Sequence, residues 1–464
     1  MKEESRSWHE QEFATIELGD QRLNARAIKL LGQLSAQPQA FINQACEDWA
    51  ASKAAYRFFD NEQVQAQQML SPHYQRTGER MQGQQVVLAI QDTTELSYRT
   101  HGQTAGLGPI GNNHERQRGL LLHTTLATTT DGLPLGLLSQ QIWARADEPR
   151  QQEYEHKAML LTDKESEKWL GALRQTVARA PATVQVVTVC DRESDVYEFL
   201  LLAEQQSAAY VIRAGQDRRL MVAGQKLWQQ LQQEAIAGHL SVEVAEKKKE
   251  PARTASVSVR HAEVEVRPPQ RLQSLRPAVW KSVRLWAVYV REEQPPAAVT
   301  PLEWMLLTNV AVVDLAAAVQ RIEWYVLRWL IELYFKILKS GCRVEQCLLA
   351  RRERLQRYLA LMGVIAWRLF WLTYVNRQNG QGSCESVLAE AEWQALYCTV
   401  KKTTVLPAQP PTVSEVIRWI GQLGGFLGRK HDGEPGITVI WRGWQRLHDI
   451  VSTWRLLNPS QTYG

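Results

Sequence analysis

The sequence lacks the cysteine arrangements that mark metal-binding or redox motifs. Its six cysteines are scattered, and none forms a C-x-x-C pair or a Cys/His cluster with zinc spacing. The N-terminus is charged and has no apolar segment typical of a signal peptide. No run of about 18 uncharged apolar residues suggests a membrane span. We therefore expect a protein of the reducing cytoplasm, with no zinc site and no transmembrane helix.

Charge of either sign is not in large excess. The net charge is +5 and the pI is about 8.8, which permits a nucleic-acid partner without being diagnostic of one. Hydrophobic residues make up 44% and charged residues 22%, as in ordinary globular proteins. The 464 residues are enough for roughly two to four domains. Seventeen tryptophans are unusual, and some of them could be stacking surfaces rather than core residues.

The spacing of apolar residues divides the chain into regions. Residues 1 to about 70 have apolar residues three and four apart, which predicts helices. From about residue 84, four stretches predict strands: 86–92, 119–143 as two strands across a turn, 183–195 and 208–214. A helical segment separates the second stretch from the third, so the pattern indicates an α/β or α+β core. Residues of about 215–300 alternate apolar and polar residues, which predicts a β-rich insertion with one solvated face.

One helical segment carries an unusual stripe of polar residues. Residues 325–339 are YVLRWLIELYFKILK, in which Tyr325, Arg328, Glu332, Lys336 and Lys339 fall within roughly 80° of one helix face. The remaining positions are mostly apolar, so we expect the helix to be buried. The stripe could be a structural ion-pair network. However, one carboxylate does not balance three cations, and phosphate together with a metal ion would supply the missing negative charge.

Two further carboxylates follow predicted strands. Asp92 comes after VVLAIQ and Asp191 after VVTVC, so both are expected at strand ends, where α/β proteins commonly place their sites. Together with Glu332 they could hold hard divalent cations, including a pair of ions about 3.5–4 Å apart. A strand-end Asp is also often a helix cap or turn residue. Nearby acids remain candidates as well: Glu95, Glu193 and Asp195.

These motifs resemble those of a known enzyme family. The spacing Y-(2)-R-(3)-E-(6)-K is matched without a gap by Tyr325, Arg328, Glu332 and Lys339. Five further segments are similar to family segments and occur in the same order along the chain: AAYRFFDN, AIQDTTELSY, VCDRESDVYEFL, PLEWMLLTN and LGGFLGRK with PGITVIWRGW. In these segments the chain resembles the DDE transposases of the insertion-sequence-four type, and closely those related to the transposase of transposon five.

The resemblance implies a fold and a domain organisation. It implies an α/β, ribonuclease-H-like catalytic core over residues 71–375, which includes the β-rich insertion at about 215–300. A helical N-terminal domain, residues 1–70, would bind DNA. A helical C-terminal domain, residues 385–464, would mediate dimerisation. In such a core the first Asp lies on the first strand, the second on the fourth, and the Glu on a later helix.

The resemblance also implies roles for individual residues. Asp92, Asp191 and Glu332 match the catalytic metal-binding triad, which would hold two Mg²⁺ ions, with Mn²⁺ as a substitute. The residues expected to contact DNA are Tyr325, Arg328, Lys336, Lys339, Arg213, Trp304, Trp329, Arg22 and Arg26. Trp304 and Trp329 would handle a base flipped out of the duplex, although without the resemblance both would be assigned to the core.

The implied activity is cut-and-paste DNA transposition. Water would nick the transposon end, the freed 3′-hydroxyl would form a hairpin on the opposite strand, and the reopened end would join target DNA. A homodimer would bridge two ends that carry inverted repeats. Two alternatives remain. One is a domesticated DNA-binding protein or nuclease without full transposition activity. The other is a carboxylate-dependent glycosidase, which would require neither the cationic stripe nor a divalent metal.

Overall fold

The structure is a computed structural model. It describes residues 7–46, 48–99, 103–111, 117–147, 165–222, 224–244, 252–270, 281–297 and 299–458. Helices form both ends of this part of the chain, and a single large sheet lies between them. The mixed α/β class predicted from the sequence is confirmed.

The N-terminal region is helical, as predicted. Its helices are α1 (Trp8–Glu12), α2 (Gln21–Ala36), α3 (Ile42–Ala45), α4 (Trp49–Asp60) and α5 (Ala66–Met81). Asp20 and Asp48 cap α2 and α4, because their carboxylates accept hydrogen bonds from backbone amides in the first helical turn. Helix α5 runs across residue 70 and contacts the sheet.

Within the described residues, ten strands follow the short apolar runs of the sequence. They are β1 (Val86–Ser97), β2 (Gly108–Pro109), β3 (Arg118–Thr129), β4 (Pro134–Trp143), β5 (Gln185–Cys190), β6 (Ala209–Arg213), β7 (Gly238–Val244), β8 (Arg253–Val266), β9 (Val283–Glu292) and β10 (Glu303–Thr308). The predicted turn between β3 and β4 is present. Gly132 adopts φ +92° there, in the left-handed region that favours glycine.

All ten strands belong to one sheet. Its centre has the order β4–β3–β1–β5–β6, in which β1, β5 and β6 are parallel and β3 and β4 are antiparallel to their neighbours. The predicted insertion contributes β7, β8 and β9. These strands do not form a separate sheet, because β10 pairs with β6 on one side and β9 on the other. The insertion therefore extends the central sheet.

Helices cover both faces of the sheet. In the middle of the chain they are α6 (Glu167–Arg179), α7 (Tyr197–Gln205), α8 (Leu227–Gln233), α9 (Leu315–Val326), α10 (Leu330–Lys336), α11 (Arg352–Tyr374) and α12 (Asn376–Asn379). Successive residues of β5 face opposite sides of the sheet. Val189 belongs to the cluster that contains Ile331 of α10, whereas Cys190 belongs to the cluster that contains Trp169 of α6.

The longest apolar helical stretch is part of this core. Arg352–Asn379 has the length and hydropathy of a membrane-crossing helix, but 89% of its most apolar window is buried inside the protein. It contacts α5, β4 and helices from both ends of the chain. The burial identifies it as a core helix.

The C-terminal region packs back onto the N-terminal helices. It contains α13 (Glu390–Lys401), α14 (Val413–Leu423) and α15 (Ile437–Leu457). Helix α15 contacts α11, α13, α14 and α2. The buried indole of Trp444 on α15 donates a 2.9 Å hydrogen bond from Nε1 to the carbonyl of Ser35 on α2. Both ends of the chain therefore share one core.

A buried polar cluster joins α1 to α5. Glu12 Oε1 lies 2.5 Å from His73 Nδ1, and Arg80 donates two hydrogen bonds, of 2.9 and 3.0 Å, to the Glu12 carboxylate. Burial raises the pKa of Glu12, but Arg80 and the bond with His73 outweigh it and lower the pKa to about 2. Burial lowers the pKa of His73, so its ring is neutral at neutral pH. Arg80 is therefore the charge that balances Glu12.

Candidate active site

The register of two parallel strands brings Asp92 and Asp191 together. Ile90 of β1 is paired with Val189 of β5, and extending that register by two residues places Asp92 level with Asp191 on the same face. The expectation that Asp92 ends its strand is wrong, since β1 continues beside β3 as far as Ser97. Because β5 stops first, Asp92 still lies at an open edge. Asp191 directly follows β5, as predicted.

Glu332 reaches this edge from the helical run that contains the stripe. Helix α9 is followed by a tight 3₁₀ turn at Leu327–Trp329, then by α10, and then by a wide π turn at Ile337–Gly341.

The expectation that the stripe is buried is wrong for two of its five residues, whereas Tyr325 is buried and Arg328 and Lys339 are partly buried. The side chain of Glu332 is 57% exposed, and Lys336 is exposed. The apolar faces of the helix belong to the buried core, so the stripe runs from a buried residue, Tyr325, to the surface at Glu332 and Lys336.

Arg328 connects two of the three carboxylates. Its Nη1 lies 3.1 Å from Asp92 Oδ2, and its Nη2 lies 2.5 Å from Glu332 Oε1. The other oxygen of Asp92, Oδ1, accepts a 2.7 Å hydrogen bond from the amide of Thr93. Both oxygens of Asp92 are therefore engaged, and a guanidinium lies between acids contributed by a strand and a helix.

The electrostatics reflect a crowded, partly buried group of acids. Burial raises the pKa of Asp92 to about 6, with further contributions from the charges of Asp191 and Glu332. Burial also raises the pKa of Asp191, while the charges of Arg328 and Lys168 oppose the increase. Burial is the largest cause of both shifts, and carboxyl groups with perturbed pKa values that lie close together are common at functional sites.

Three predicted DNA-contacting residues lie beside the acids. The rings of Trp304 and Tyr325 form an edge-to-face pair with centroids 5.6 Å apart. Arg213 donates a 2.9 Å hydrogen bond from Nη2 to the carbonyl of Glu303. Burial raises the pKa of the Tyr325 phenol, and the charges of Arg328 and Arg213 oppose it. The structure therefore brings an aromatic pair and two cations to the edge that carries the acids.

The remaining predicted residues are more dispersed. Lys339 lies in the π turn, where burial lowers its pKa and the charges of Glu345 and Glu95 oppose that effect. Trp329 is 43% exposed, so part of its side chain faces solvent. Arg22 and Arg26 lie one turn apart on α2, in the N-terminal region.

The alternative acids have surroundings that differ from those of Asp92, Asp191 and Glu332. Asp195 is buried, forms an ion pair with Arg218 and accepts hydrogen bonds from two backbone amides, so its carboxylate is fully committed. Glu95 accepts hydrogen bonds from Arg145 and from the amide of Gly111. Glu193 is exposed and points to another cation, which is described next. The alternative acids thus have structural partners of their own.

Sequence reasoning missed Lys168, which also lies near the site. Lys168 is the second residue of α6, and its side chain is only 9% exposed. Its Nζ is 3.5 Å from Glu193 Oε2 and 5.5 Å from the ring centroid of Trp169. Its charge reaches Asp191. A single lysine in an amphipathic helix carries no sequence signal that distinguishes it from a surface residue.

The donor set suits a hard divalent cation. Carboxylate oxygens are the ligands that Mg²⁺ and Mn²⁺ prefer, and three acids converge here from β1, the end of β5 and α10. Within the described residues, no three His, Cys, Asp or Glu side chains are close enough to enclose an ion together. In the structure the guanidinium of Arg328 lies between Asp92 and Glu332 and contacts both.

Comparison with known protein families decides what this site belongs to. Residues 5–64 match the family described as Transposase DNA-binding, and residues 158–369 match Transposase DDE domain. Residues 364–461 match Transposase Tn5 dimerisation domain. The three matches follow one another in the order predicted for the regions of the chain. The chain is a DDE transposase of the Tn5 type.

Membership in this family confirms the main expectations from the sequence. The large sheet with its flanking helices contains a ribonuclease-H-like core, and the protein is a transposase that binds DNA and dimerises. The family is dependent on divalent metal. The DDE match includes Asp191 and Glu332, whereas Asp92 lies before its first residue. The assignment of Asp92 to the triad thus depends on its position in the structure.

Proposed function

We propose that this transposase moves DNA by a cut-and-paste route through a DNA hairpin. The observation that carries the proposal is the convergence of Asp92, Asp191 and Glu332 at one sheet edge beside a partly exposed cationic stripe. Metal ions held by the acids, proposed to be two Mg²⁺ that Mn²⁺ can replace, would supply the charge that activates an attacking oxygen and stabilises a leaving one. Nicking, hairpin formation, hairpin opening and strand transfer are all in-line phosphoryl transfers, so one site can serve each step.

The surrounding residues position the DNA backbone. Arg328, Lys336 and Lys339 lie along the stripe, and their charges exceed the one carboxylate that the stripe contains. Phosphate oxygens are the natural partners of such cations. Arg213 approaches the same edge from β6, on the other side of Tyr325. The DNA end would thus be held from the helix and from the sheet.

Two tryptophans are proposed to receive a flipped base. Trp304 is half-buried on β10 with Tyr325 against its ring, and Trp329 is exposed on the turn before α10. Unstacking a base costs a few kcal/mol, and stacking on an aromatic ring offsets about 1–3 kcal/mol of that cost. A strand that must fold back into a hairpin needs such a device, because the bend is incompatible with continued stacking.

The proposed substrates are transposon ends with inverted repeats and a target duplex. Arg22 and Arg26 on α2 are proposed to contact the end, although Leu23 and Asn24 interrupt the basic cluster that the family resemblance implies. A dimer would bridge two ends, with each active site acting on the end bound by its partner. We infer a bacterial cytoplasmic location, at the nucleoid when the protein is bound to DNA.

The direct test is cleavage of the DNA that flanks the gene. Duplexes carrying the short inverted repeats found there should be nicked and converted to hairpins in Mg²⁺, and a denaturing gel separates the two products. Addition of a chelator should stop both reactions. Binding without any cleavage would instead indicate a domesticated DNA-binding protein, and cleavage that survives the chelator would contradict the metal site.

Trp304→Ala should impair hairpin formation more than first-strand nicking. Loss of about 1–3 kcal/mol of base stacking slows the hairpin step by roughly 10–100-fold, whereas nicking precedes the bend and should change by less than about threefold. Both rates can be measured on the same DNA end. Trp286→Ala is the control, since Trp286 is also half-buried and lies on the adjacent strand β9. Equal loss of both steps in Trp304→Ala would indicate a packing role.

A further inference from the structure

Arg328 occupies the space between two proposed metal ligands. Its two terminal nitrogens are directed at different acids, 3.1 Å from Asp92 Oδ2 and 2.5 Å from Glu332 Oε1. Only 20% of the Arg328 side chain is exposed, as is 20% of Asp92, so water screens this contact less than it screens an open surface pair. The remaining Asp92 oxygen is held by the amide of Thr93. Both oxygens of Asp92 therefore already accept a hydrogen bond, and a cation placed between Asp92 and Glu332 must replace Arg328 as the partner of Asp92 Oδ2.

We infer that Arg328 is a built-in competitor of the divalent metal ion, since its guanidinium fills the cation position between Asp92 and Glu332 when no ion is bound. This inference rests on the proposed function, because it takes these acids to be metal ligands. A divalent ion and the guanidinium cannot both occupy the gap, so the ion must displace the side chain. Once displaced, the guanidinium has five N–H donors and no carboxylate to accept from them. A phosphate group is the acceptor that best takes the place of the two carboxylates.

Because of this competition, the affinity for the metal ion depends on whether a DNA phosphate is bound beside Arg328. Without DNA, the ion must break both contacts of Arg328, and its apparent affinity falls accordingly. With a phosphate nearby, the released guanidinium regains charged hydrogen bonds. By thermodynamic linkage, a group that stabilises the displaced position of Arg328 also increases the affinity of the site for the metal ion. Arg328 would thereby keep the metal site weakly loaded until DNA is present.

The test is Mn²⁺ binding to the DNA-free protein, measured from the electron paramagnetic resonance signal of free Mn²⁺. Arg328→Gln removes the charge, and its Kd for Mn²⁺ should fall by about tenfold, as expected for the loss of one partly buried ion pair and one exposed ion pair. Arg76→Gln is the control, because it removes the same charge from a surface ion pair with Glu79 on α5, in which neither residue is a proposed metal ligand. Its Kd should change by less than about threefold, as for a screened surface charge.

Each outcome has a defined meaning. If the Kd of Arg328→Gln for Mn²⁺ equals or exceeds that of the wild type, the inference is overturned. An equal decrease in the Kd of Arg76→Gln would overturn it as well. Arg328→Lys covers the case in which the Gln variant does not fold. One ammonium cannot bridge both acids, so its Kd should still fall by about threefold, and an unchanged Kd would be equally decisive.

A third set of variants separates this inference from the proposed function. Asp92→Asn should weaken Mn²⁺ binding by at least about tenfold, because a carboxylate ligand is lost. If Asp92→Asn binds Mn²⁺ as tightly as the wild type, the proposed metal site is wrong and the inference falls with it. If Asp92→Asn loses Mn²⁺ while Arg328→Gln gains nothing, the metal site stands and only the competition is wrong.

Discussion

An Asp92→Asn transposase is expected to lose strand cleavage by at least about 10³-fold while still binding DNA. A metal ion contributes several kcal/mol of transition-state stabilisation, and each 1.36 kcal/mol is worth about tenfold in rate. The Asn side chain has nearly the same volume, and its carbonyl oxygen can still accept the hydrogen bond from Thr93. The fold should therefore persist. Single-turnover cleavage in Mg²⁺ and a gel-shift assay measure the two properties separately.

The same loss is expected for Asp191→Asn and Glu332→Gln, and Glu193→Gln is the control. Glu193 lies two residues from Asp191, but its carboxylate is exposed and pairs with Lys168. Exposed substitutions usually change free energies by less than about 0.5 kcal/mol, so cleavage by Glu193→Gln should stay within about threefold of the wild type. Full cleavage by any triad variant would remove that residue from the triad. A large loss in Glu193→Gln would place Glu193 among the ligands.

Glu12→Gln is expected to have the largest effect on stability. The substitution leaves Arg80 half-buried without its carboxylate partner, and breaking a buried ion pair in this way costs about 3–5 kcal/mol. Urea unfolding at neutral pH measures the loss. Glu79→Gln is the control on α5, since Glu79 pairs with Arg76 at the surface and such pairs contribute about 0–1 kcal/mol.

The stabilisation by Glu12 should depend on pH in a defined direction. Its pKa is lowered from 4.5 to about 2 in the folded protein, because Arg80 and His73 outweigh the effect of burial. A carboxyl with a depressed pKa stabilises the fold above its unfolded value and loses that contribution as the pH falls through the folded value. The difference in unfolding free energy between the wild type and Glu12→Gln should therefore shrink between pH 4.5 and about pH 2. A difference that grows on acidification would contradict the assignment.

Most of the helices and strands could be predicted from the spacing of apolar residues in the sequence. Runs rich in Val, Ile and Leu predicted β1, β5 and β6, and acids that followed two of them predicted a shared site. The strand end at Asp92 was wrong because an apolar run ends where burial ends, whereas β1 continues as long as β3 offers hydrogen bonds. The segment that carries the stripe was predicted correctly as helical, but the exposure of the stripe depends on which helix faces meet the sheet, and periodicity does not contain that information.

Contacts between distant residues could not be predicted in this way. Glu12 and His73 are 61 residues apart, and each has a sequence context typical of an ordinary helix. Lys168 acts on the pKa of Asp191 only because α6 packs against β5, a contact that the sequence does not reveal. Arg328 illustrates the same limit, since its spacing indicates a shared face with Glu332 but not the contact with Asp92, which is 236 residues away.

The way β10 joins the insertion to the central sheet limits how the chain can be shortened. Removing β7, β8 and β9 would strip one side of β10 of every backbone partner and leave a bare edge in the middle of what had been a continuous sheet. Exposed edges of this kind recruit strands from other molecules. A miniaturised enzyme would therefore need a charged or proline-bearing replacement strand beside β10, and a simple loop closure across the excision would invite aggregation.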